Sequence, residues 1–206
     1  MKSFLITVFA SVFLLSCQDK PSKPYKPASL GSINTLAVVM DNELWEGAVG
    51  DKVREHFAAP VLGLTWDEPL LNLEHMPGSV FRGTTRHRRA VLFVDLDTVS
   101  GAQIQEDLYA TPQKVAVIKG KTEAELITSI ESASEQIISS FKKMELEESQ
   151  SRFLKSLSKE TVLSEKFGIS MRLPSVYNVG KEEDGFVWMD REIQKGSMNI
   201  ICLLYT

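Results

Sequence analysis

Three polar residues follow the apolar run INTLAVVM and could bind a hydroxylated ligand or a hard cation. Asp41, Asn42 and Glu43 come directly after INTLAVVM, and Trp45 lies two residues further on. Carboxylate and amide oxygens suit a hard cation, but the same side chains cap helices and favour the positive end of the helix dipole. We expect capping here and a core position for Trp45, and keep Asp41, Asn42 and Trp45 as candidate ligand contacts.

A second pair of carboxylates ends the apolar run AVLFVDL. Asp95 and Asp97 are two residues apart, so an extended strand points both side chains the same way. A single pair supplies too few ligands for a metal site, and none of the three histidines lies at ligand spacing from another. We therefore expect solvation of a strand end and no metal.

The most unusual polar stretch is FRGTTRHRR, residues 81–89, because it concentrates positive charge in an acidic chain. The candidate contacts in it are Arg82, Arg86, His87, Arg88 and Arg89. Arginine forks bind phosphate and carboxylate groups well, so envelope glycolipid phosphates, an anionic glycan or an acidic protein surface are possible targets. The alternative is a solvated loop with internal ion pairs.

Named catalytic patterns are absent from the sequence. It contains no G-x-S-x-G elbow, no H-E-x-x-H and no Walker loop, and its three S-x-x-K matches lie in helical, Ser/Lys-rich sequence. We expect no catalytic residue and no cofactor. The alternative is an envelope hydrolase or metal-dependent enzyme in which the fold gathers Asp41, Glu43, Asp95 and Asp97.

Cys17 is a candidate for lipid attachment. Lys2, the apolar stretch Phe4–Leu15 and the small Ser16 precede it, which is the layout of a secretory signal. Leu14-Leu15-Ser16-Cys17 resembles the lipobox of bacterial lipoproteins, in which the thiol receives fatty acyl chains such as palmitate and the leader is cut just before it. We expect residues 1–16 to be a lipoprotein signal peptide and Cys17 to anchor the chain in a membrane.

A tether follows the anchor and a folded body follows the tether. Residues 17–32 repeat Lys-Pro at three positions, and prolines at this spacing favour extended polyproline II geometry. We expect one domain over 33–206. The chain stops directly after an apolar strand, which is either a protected last strand or a sign that the domain is incomplete at its C-terminus. The mild net charge of −4 argues against a nucleic-acid binder, because such proteins usually show a concentrated basic surplus.

The order of elements predicts an α+β fold, a mostly antiparallel sheet with amphipathic helices packed on one face. Apolar runs predict strands at 33–40, 70–76, 90–96 and 114–119, and AVLFVDL is apolar enough for a position covered on both faces. Helices are predicted at 43–58, from a T-x-x-E capping box at Thr122 to Met144, and again over 147–166. Further strands are predicted in ISMRLP, FVWMDRE and MNIICLLY.

The lipobox, the Pro/Lys tether and GSINTLAVVMDNELWEGAVGDKVREHF together resemble an uncharacterised lipoprotein family of Bacteroidota, catalogued only as a domain of unknown function. TTRHRRAVLFVDL, ATPQKVAVIKGKTEAELITSIESASEQI and GKEEDGFVWMDRE fit the same family. Members of that family are longer, so the resemblance implies that this chain is truncated. It implies no activity, cofactor or catalytic residue.

These observations predict a membrane-anchored envelope lipoprotein whose body is a non-enzymatic binding or adaptor domain. Its expected partners are the membrane, through the lipid, and an envelope protein or anionic glycan. Gln18 is not the aspartate that retains enteric lipoproteins at the inner membrane, which favours the outer membrane. The sequence leaves open whether the body faces the periplasm or the cell surface.

Overall fold

The computed structural model describes residues 25–205, in which two β-sheets are joined by one long helix. In the first part of the chain, β1 spans Thr35–Val39, α1 spans Asn42–Glu46, α2 spans Ala48–Phe57 and β2 spans Asn72–Met76. Two 3₁₀ turns, Gly78–Val80 and Gly83–His87, lead into β3 at Ala90–Leu96. They are followed by β4 at Gly101–Glu106, β5 at Lys114–Gly120 and the helix α3 at Glu123–Leu154. The last part holds α4 at Val162–Phe167, β6 at Asn178–Glu183, β7 at Phe186–Ile193 and β8 at Gly196–Leu203.

The first sheet has the strand order β2-β1-β3-β5-β4. Its first four strands are parallel, and only β4 runs antiparallel to its neighbour β5. We call the side of the sheet where the parallel strands begin the amino edge, and the side where they end the carboxyl edge. β3 lies between β1 and β5, and Val91 and Leu92 are fully buried on its two faces, so the predicted doubly covered strand is confirmed.

The α+β class is confirmed, and the three-stranded sheet β6-β7-β8 is antiparallel throughout. The expectation of a mostly antiparallel sheet is wrong for the five-stranded sheet, which is mixed. The reason is the connection between β2 and β3. Residues 77–89 carry no α-helix, yet they bring the chain from the carboxyl edge back to the amino edge and thus allow parallel pairing.

The α-helices α1, α2 and α3 pack on one face of the five-stranded sheet, as predicted. Val49, Val53 and Phe57 of α2 join Leu36, Val38, Leu92 and a row of α3 residues from Leu126 to Met144 in one buried cluster. The opposite face is covered by the 77–89 segment, whose Phe81 packs edge-on against Phe93 and Tyr109. A separate cluster joins α4 to the three-stranded sheet through Val162, Leu163, Val187 and Met189.

Several element boundaries differ from the predicted ones. The helix predicted at 43–58 is two helices that meet at Gly47, and the two helices predicted between 122 and 166 begin with one continuous helix of 32 residues. The strands β4 and β6 are not in the prediction, and ISMRLP forms no strand of either sheet. Within residues 25–205, no helix is long and apolar enough to cross a membrane.

Candidate functional site

Loops at the carboxyl edge of the sheet bring together polar side chains from three strands. Asp41 and Asn42 follow β1, Asp97 and Thr98 follow β3, and Lys121 follows β5. The strand order reverses between β1 and β3, because the chain passes from β1 outward to β2 and then returns to the other side of β1. Open parallel sheets commonly bind ligands beyond the carboxyl ends of the strands at such a point.

Asp97 is the most constrained carboxylate at this edge. It is ion-paired with the Lys119 ammonium and accepts hydrogen bonds from the Thr98 amide at 2.6 Å and the Thr98 hydroxyl at 3.1 Å. These partners, Lys119 first, hold the pKa of the Asp97 carboxyl below its ordinary value. Asp95 is exposed. The end of β3 therefore carries one solvated aspartate, Asp95, and one ion-paired aspartate, Asp97.

The turn between β3 and β4 is attached to the start of α3. The Ser100 hydroxyl donates a hydrogen bond to the Glu125 carboxylate, which also accepts one from the Lys121 amide at 3.1 Å. Ser100 first and then the Lys121 amide hold the pKa of Glu125 below its ordinary value. The Glu125 amide bonds to the Thr122 hydroxyl at 3.2 Å, which confirms half of the predicted capping box. In the other half, the Glu125 carboxylate binds the Lys121 amide in place of the Thr122 amide.

Two depressions flank this turn. An open one of about 720 Å³ is lined by Leu96, Asp97, Thr98 and Lys121. A cleft of about 240 Å³ lies between the turn and β5, lined by residues 99–103 with Val117 and Lys119. The open depression carries both charges, Asp97 and Lys121, whereas Lys119 is the one charged residue among the described residues that line the cleft. The sequence prediction named Glu125 only as a capping-box residue and missed Ser100, Lys119 and Lys121. The alternating residues of GAQIQE, which begin at Gly101, signalled the strand β4 that brings them together.

Trp45 is packed against neighbouring side chains. Its indole stacks on the His75 imidazole with ring centroids 4.6 Å apart and an interplanar angle of 1°, and the Arg54 guanidinium lies 4.5 Å from the indole centroid. His75 is held in turn by a 2.9 Å hydrogen bond to the Met40 carbonyl. This packing agrees with the expected core position of Trp45. His75 and Arg54 already cover the indole on which a ligand would have to stack.

Asp41 and Asn42 remain exposed beside this stack. Asp41 occupies the N-cap of α1, but its side chain makes no capping hydrogen bond, and only its carbonyl accepts one, from the Trp45 amide at 2.9 Å. The expected side-chain cap is therefore not formed. Among residues 25–205, no three His, Cys, Asp or Glu side chains are placed to share a metal ion. The four carboxylates of the alternative enzyme hypothesis are thus not gathered into one such group.

Arg89 is not part of the predicted cationic surface, because its side chain is only 1% exposed. Its guanidinium donates to both oxygens of Glu145, at 2.8 and 3.0 Å, and to the carbonyls of Gly31 and Ser32 at 3.2 and 2.9 Å. Glu145 lies on the buried stripe of α3 and also accepts from the Asn34 amide at 3.0 Å. We call this group the Arg89–Glu145 clasp. It ties the N-terminal segment, β3 and α3 together at the amino edge.

The other basic residues of the stretch are spread over the 3₁₀ turn and its two ends. Arg88 is ion-paired with Glu74, and His87 is half-buried. Arg86 is exposed, with its guanidinium 5.4 Å from the Tyr109 ring centroid and its Nε bonded to the Phe81 carbonyl at 3.2 Å. Arg82 is exposed as well. Only Arg82 and Arg86 of this group therefore present a charge to solvent without an ion-pair partner among the described residues.

Cys17 and its lipobox lie outside the described residues. What the structure describes is the segment that follows. Ala28 bridges to Thr111 and Leu30 to Arg88, and the Leu30 amide donates to the His87 carbonyl at 2.7 Å. The Arg152 guanidinium donates to the Gly31 carbonyl at 3.4 Å. The chain therefore enters the body along the amino edge of the sheet.

Comparisons with known proteins point to families without an assigned activity. Residues 156–206 match the model of one such family, described as domain of unknown function (DUF4837). No curated protein and no solved structure matches the chain. Residues 29–154, more than half of the chain, match the model described as domain of unknown function (DUF8532), so a catalogued family of unknown function is confirmed. The chain belongs to the DUF8532 family.

Proposed function

We propose that this protein is a lipid-anchored protein of the bacterial cell envelope, of the Bacteroidota type that the sequence resembles, whose body is a non-enzymatic binding or adaptor domain. Cys17 carries the lipid after removal of residues 1–16, and the outer membrane is the favoured address. The observation that carries the proposal is the attachment of residues 28–32 along the amino edge. A lipid on Cys17 holds the body by that edge, through the residues that precede Tyr25.

The binding surface we propose is the exposed part of the arginine turn. Arg82 and Arg86 present two cations on the sheet face that lies opposite the α-helices. The Arg86 guanidinium is oriented by the Phe81 carbonyl and the Tyr109 ring, so less side-chain entropy is lost when it binds an anion. The ligand chemistry is an anionic group, either the phosphate or carboxylate of an envelope glycan or an acidic protein surface.

The anchor is tested by mass spectrometry and fractionation of the full-length protein. We expect the mature N-terminus at Cys17 with fatty acyl mass on it, and release of the Cys17→Ser variant from the membrane fraction. An exported product with a free Cys17 thiol, or a Cys17→Ser variant that is still processed and membrane-bound, contradicts the proposal.

The binding surface is tested by capture from cross-linked envelopes with the lipidated protein and its Arg82→Ala/Arg86→Ala variant. The matched control is Lys143→Ala/Lys195→Ala, which removes the same charge from exposed positions elsewhere. We expect partners to be lost with the arginine variant only. Glycosidase and protease treatment of the captured material separates a glycan from a protein. Equal capture by all three proteins contradicts the assignment of this surface.

A further inference from the structure

The last two and a half turns of α3 extend beyond the amino edge of the sheet. The helix starts at the carboxyl edge, where Gly120 lies against Leu126. It reaches the amino edge at Glu145, which binds Arg89 just before β3 and Asn34 just before β1. Nine further residues continue to Leu154, and at 1.5 Å per residue they project about 14 Å past the strands.

This projecting part of α3 carries an apolar stripe that the described chain covers only in part. Leu146 is 59% exposed and Leu154 is 55% exposed. Phe153 is also partly exposed, so Leu146, Phe153 and Leu154 have the i, i+7 and i+8 spacing of one helical face. Leu157, 36% exposed, follows the end of α3 and bridges to Pro174. A groove of about 310 Å³ runs along it, lined by Leu146, Gln150, Phe153, Leu154, Leu157 and Arg172. We call it the α3 groove.

The N-terminal segment leaves the body at the same edge. The Gly31 carbonyl accepts from Arg152, which lies between the groove residues Gln150 and Phe153. Tyr25, the first described residue, is 90% exposed. A chain from Cys17 to Tyr25 spans at most about 28 Å. A lipid on Cys17 therefore keeps the α3 groove within tether reach of the bilayer, and this step rests on the proposed function.

We propose that the α3 groove is a membrane contact whose occupant is the bilayer interface. An amphipathic helix lies in that interface with its apolar face about 5–10 Å into the headgroup and acyl boundary. Arg172 lines the groove and Lys155 directly follows Leu154 in the chain; both are exposed and have no ion-pair partner among the described residues. Their long stems can follow the apolar surface while the charged ends reach lipid phosphates.

The size of the groove favours a bilayer over a second copy of the chain. A stable dimer interface takes about 20–30 residues and about 800 Å² from each partner. The groove offers four partly exposed apolar side chains, well short of that. A membrane contact needs less intrinsic affinity, because the covalent anchor already supplies a high local concentration of lipid.

The experiment uses the full lipidated chain in vesicles that contain phospholipids brominated on their acyl chains. Phe153→Trp places a fluorophore in the groove, and Val99→Trp places one at an exposed apolar position in the turn at the opposite edge. The fluorescence of the new tryptophan is obtained by subtracting the signal of the unsubstituted protein. We expect about threefold stronger quenching at position 153 than at position 99, since only the former lies within about 10 Å of the acyl boundary.

The outcomes separate this proposal from the proposed function. A protein that fails to float with the vesicles refutes the anchor. A protein that floats but is quenched equally at positions 153 and 99 leaves the anchor intact and overturns the membrane contact. Emission at position 153 that shifts to the blue with protein concentration, without quenching by brominated lipid, indicates a second copy in the groove and also overturns it. Circular dichroism of both variants confirms that they are folded.

Discussion

At the scale of single residues, the Arg89–Glu145 clasp has the largest consequence for stability. Both side chains are almost fully buried, and the carboxylate accepts from Arg89 and from the Asn34 amide. A buried ion pair contributes little net stability relative to apolar residues of the same shape, but removal of one partner leaves an uncompensated charge in the interior. The clasp therefore specifies how the N-terminal segment, β3 and α3 fit together.

We expect Glu145→Leu to lower the free energy of unfolding by about 3–5 kcal/mol in a urea titration, because the Arg89 guanidinium loses its carboxylate partner. The double variant Arg89→Met/Glu145→Leu should recover most of this loss. Arg88→Ala, which removes the partly exposed pair with Glu74, is the control and should cost less than about 1 kcal/mol. A double variant as unstable as Glu145→Leu would show that the pair itself, and not the unpaired charge, is decisive.

Asp97 gives a dependence of stability on pH. The pKa of its carboxyl is held below the ordinary value, so the ionised form stabilises the fold above the ordinary aspartate pKa of about 3.9. That stabilisation is lost as the pH falls through the lowered pKa. We expect Asp97→Asn to unfold at a lower urea concentration than the unsubstituted protein at pH 7, with the difference vanishing in acid. A difference that is constant from pH 7 to pH 2.5 would contradict this.

Residue types predicted some site features and missed others. In FRGTTRHRR the residue types do not distinguish a buried arginine from an exposed one. Alternation assigns side chains to two faces only where the segment forms a strand. Here residues 83–87 form a 3₁₀ turn, so Arg86 and Arg88 do not share a strand face. The partner of Arg89 lies 56 residues away. The one local signal of this buried pair is that the charged Glu145 lies four residues after Phe141, on the apolar stripe of α3.

At the scale of elements, the packing of α1 against α2 depends on a glycine. A Cβ atom on Gly50 would lie 1.9 Å from the Trp45 carbonyl oxygen, which belongs to backbone and cannot move without a shift of α1. The close approach requires a residue without a Cβ atom at position 50. The helix predicted over 43–58 is interrupted at Gly47, between α1 and α2.

We expect Gly50→Ala to destabilise the protein by about 1–3 kcal/mol in thermal or urea unfolding, in the range measured for overpacked sites, despite the better helix propensity of alanine. Gly78→Ala is the matched control, because a Cβ there meets no atom within 4 Å. Its effect should be within about 0.5 kcal/mol, as at other open surface positions. Stabilisation by Gly50→Ala would contradict the close packing of the two helices.

Elements with strong local patterns were predictable, and elements with weak ones were not. β1, β3 and β5 are apolar runs whose length and β-branched content identify them, and the Thr122 cap identifies the start of α3. β6, NVGKEE, is an exposed edge strand of mostly polar residues, so it has no apolar alternation to identify it. The parallel pairing of β3 with β1 could not be predicted either, because the β2–β3 connection has no helical pattern.

At the scale of the whole molecule, the two sheets have separate buried clusters. The clusters of the five-stranded sheet include no buried residue beyond Met144, whereas the cluster of the three-stranded sheet begins at Val162. The two family matches meet in the same region, at residues 154 and 156. The prediction of one domain over 33–206 can be tested on this basis.

We expect the chain ending at Ser158 to retain a cooperative unfolding transition within about 1–2 kcal/mol of the full chain, because it keeps the clasp and both clusters of the first sheet. The control ends at Ser140 and lacks Phe141, Met144 and Glu145, so it should lose cooperative unfolding. Denaturant unfolding followed by circular dichroism measures both. Loss of cooperativity in the longer chain would support one indivisible domain.

The clasp also determines how a mechanical load would pass through the protein. Pulling on the chain ahead of Tyr25 draws on residues 28–34, which are fastened to Thr111, His87 and, through Arg89 and Glu145, to α3. These bonds lie across several elements, so strain is shared among them before the hydrogen bonds of any one strand pair are sheared. A body held in this way can be pulled from its N-terminus without separation of β1 from the sheet.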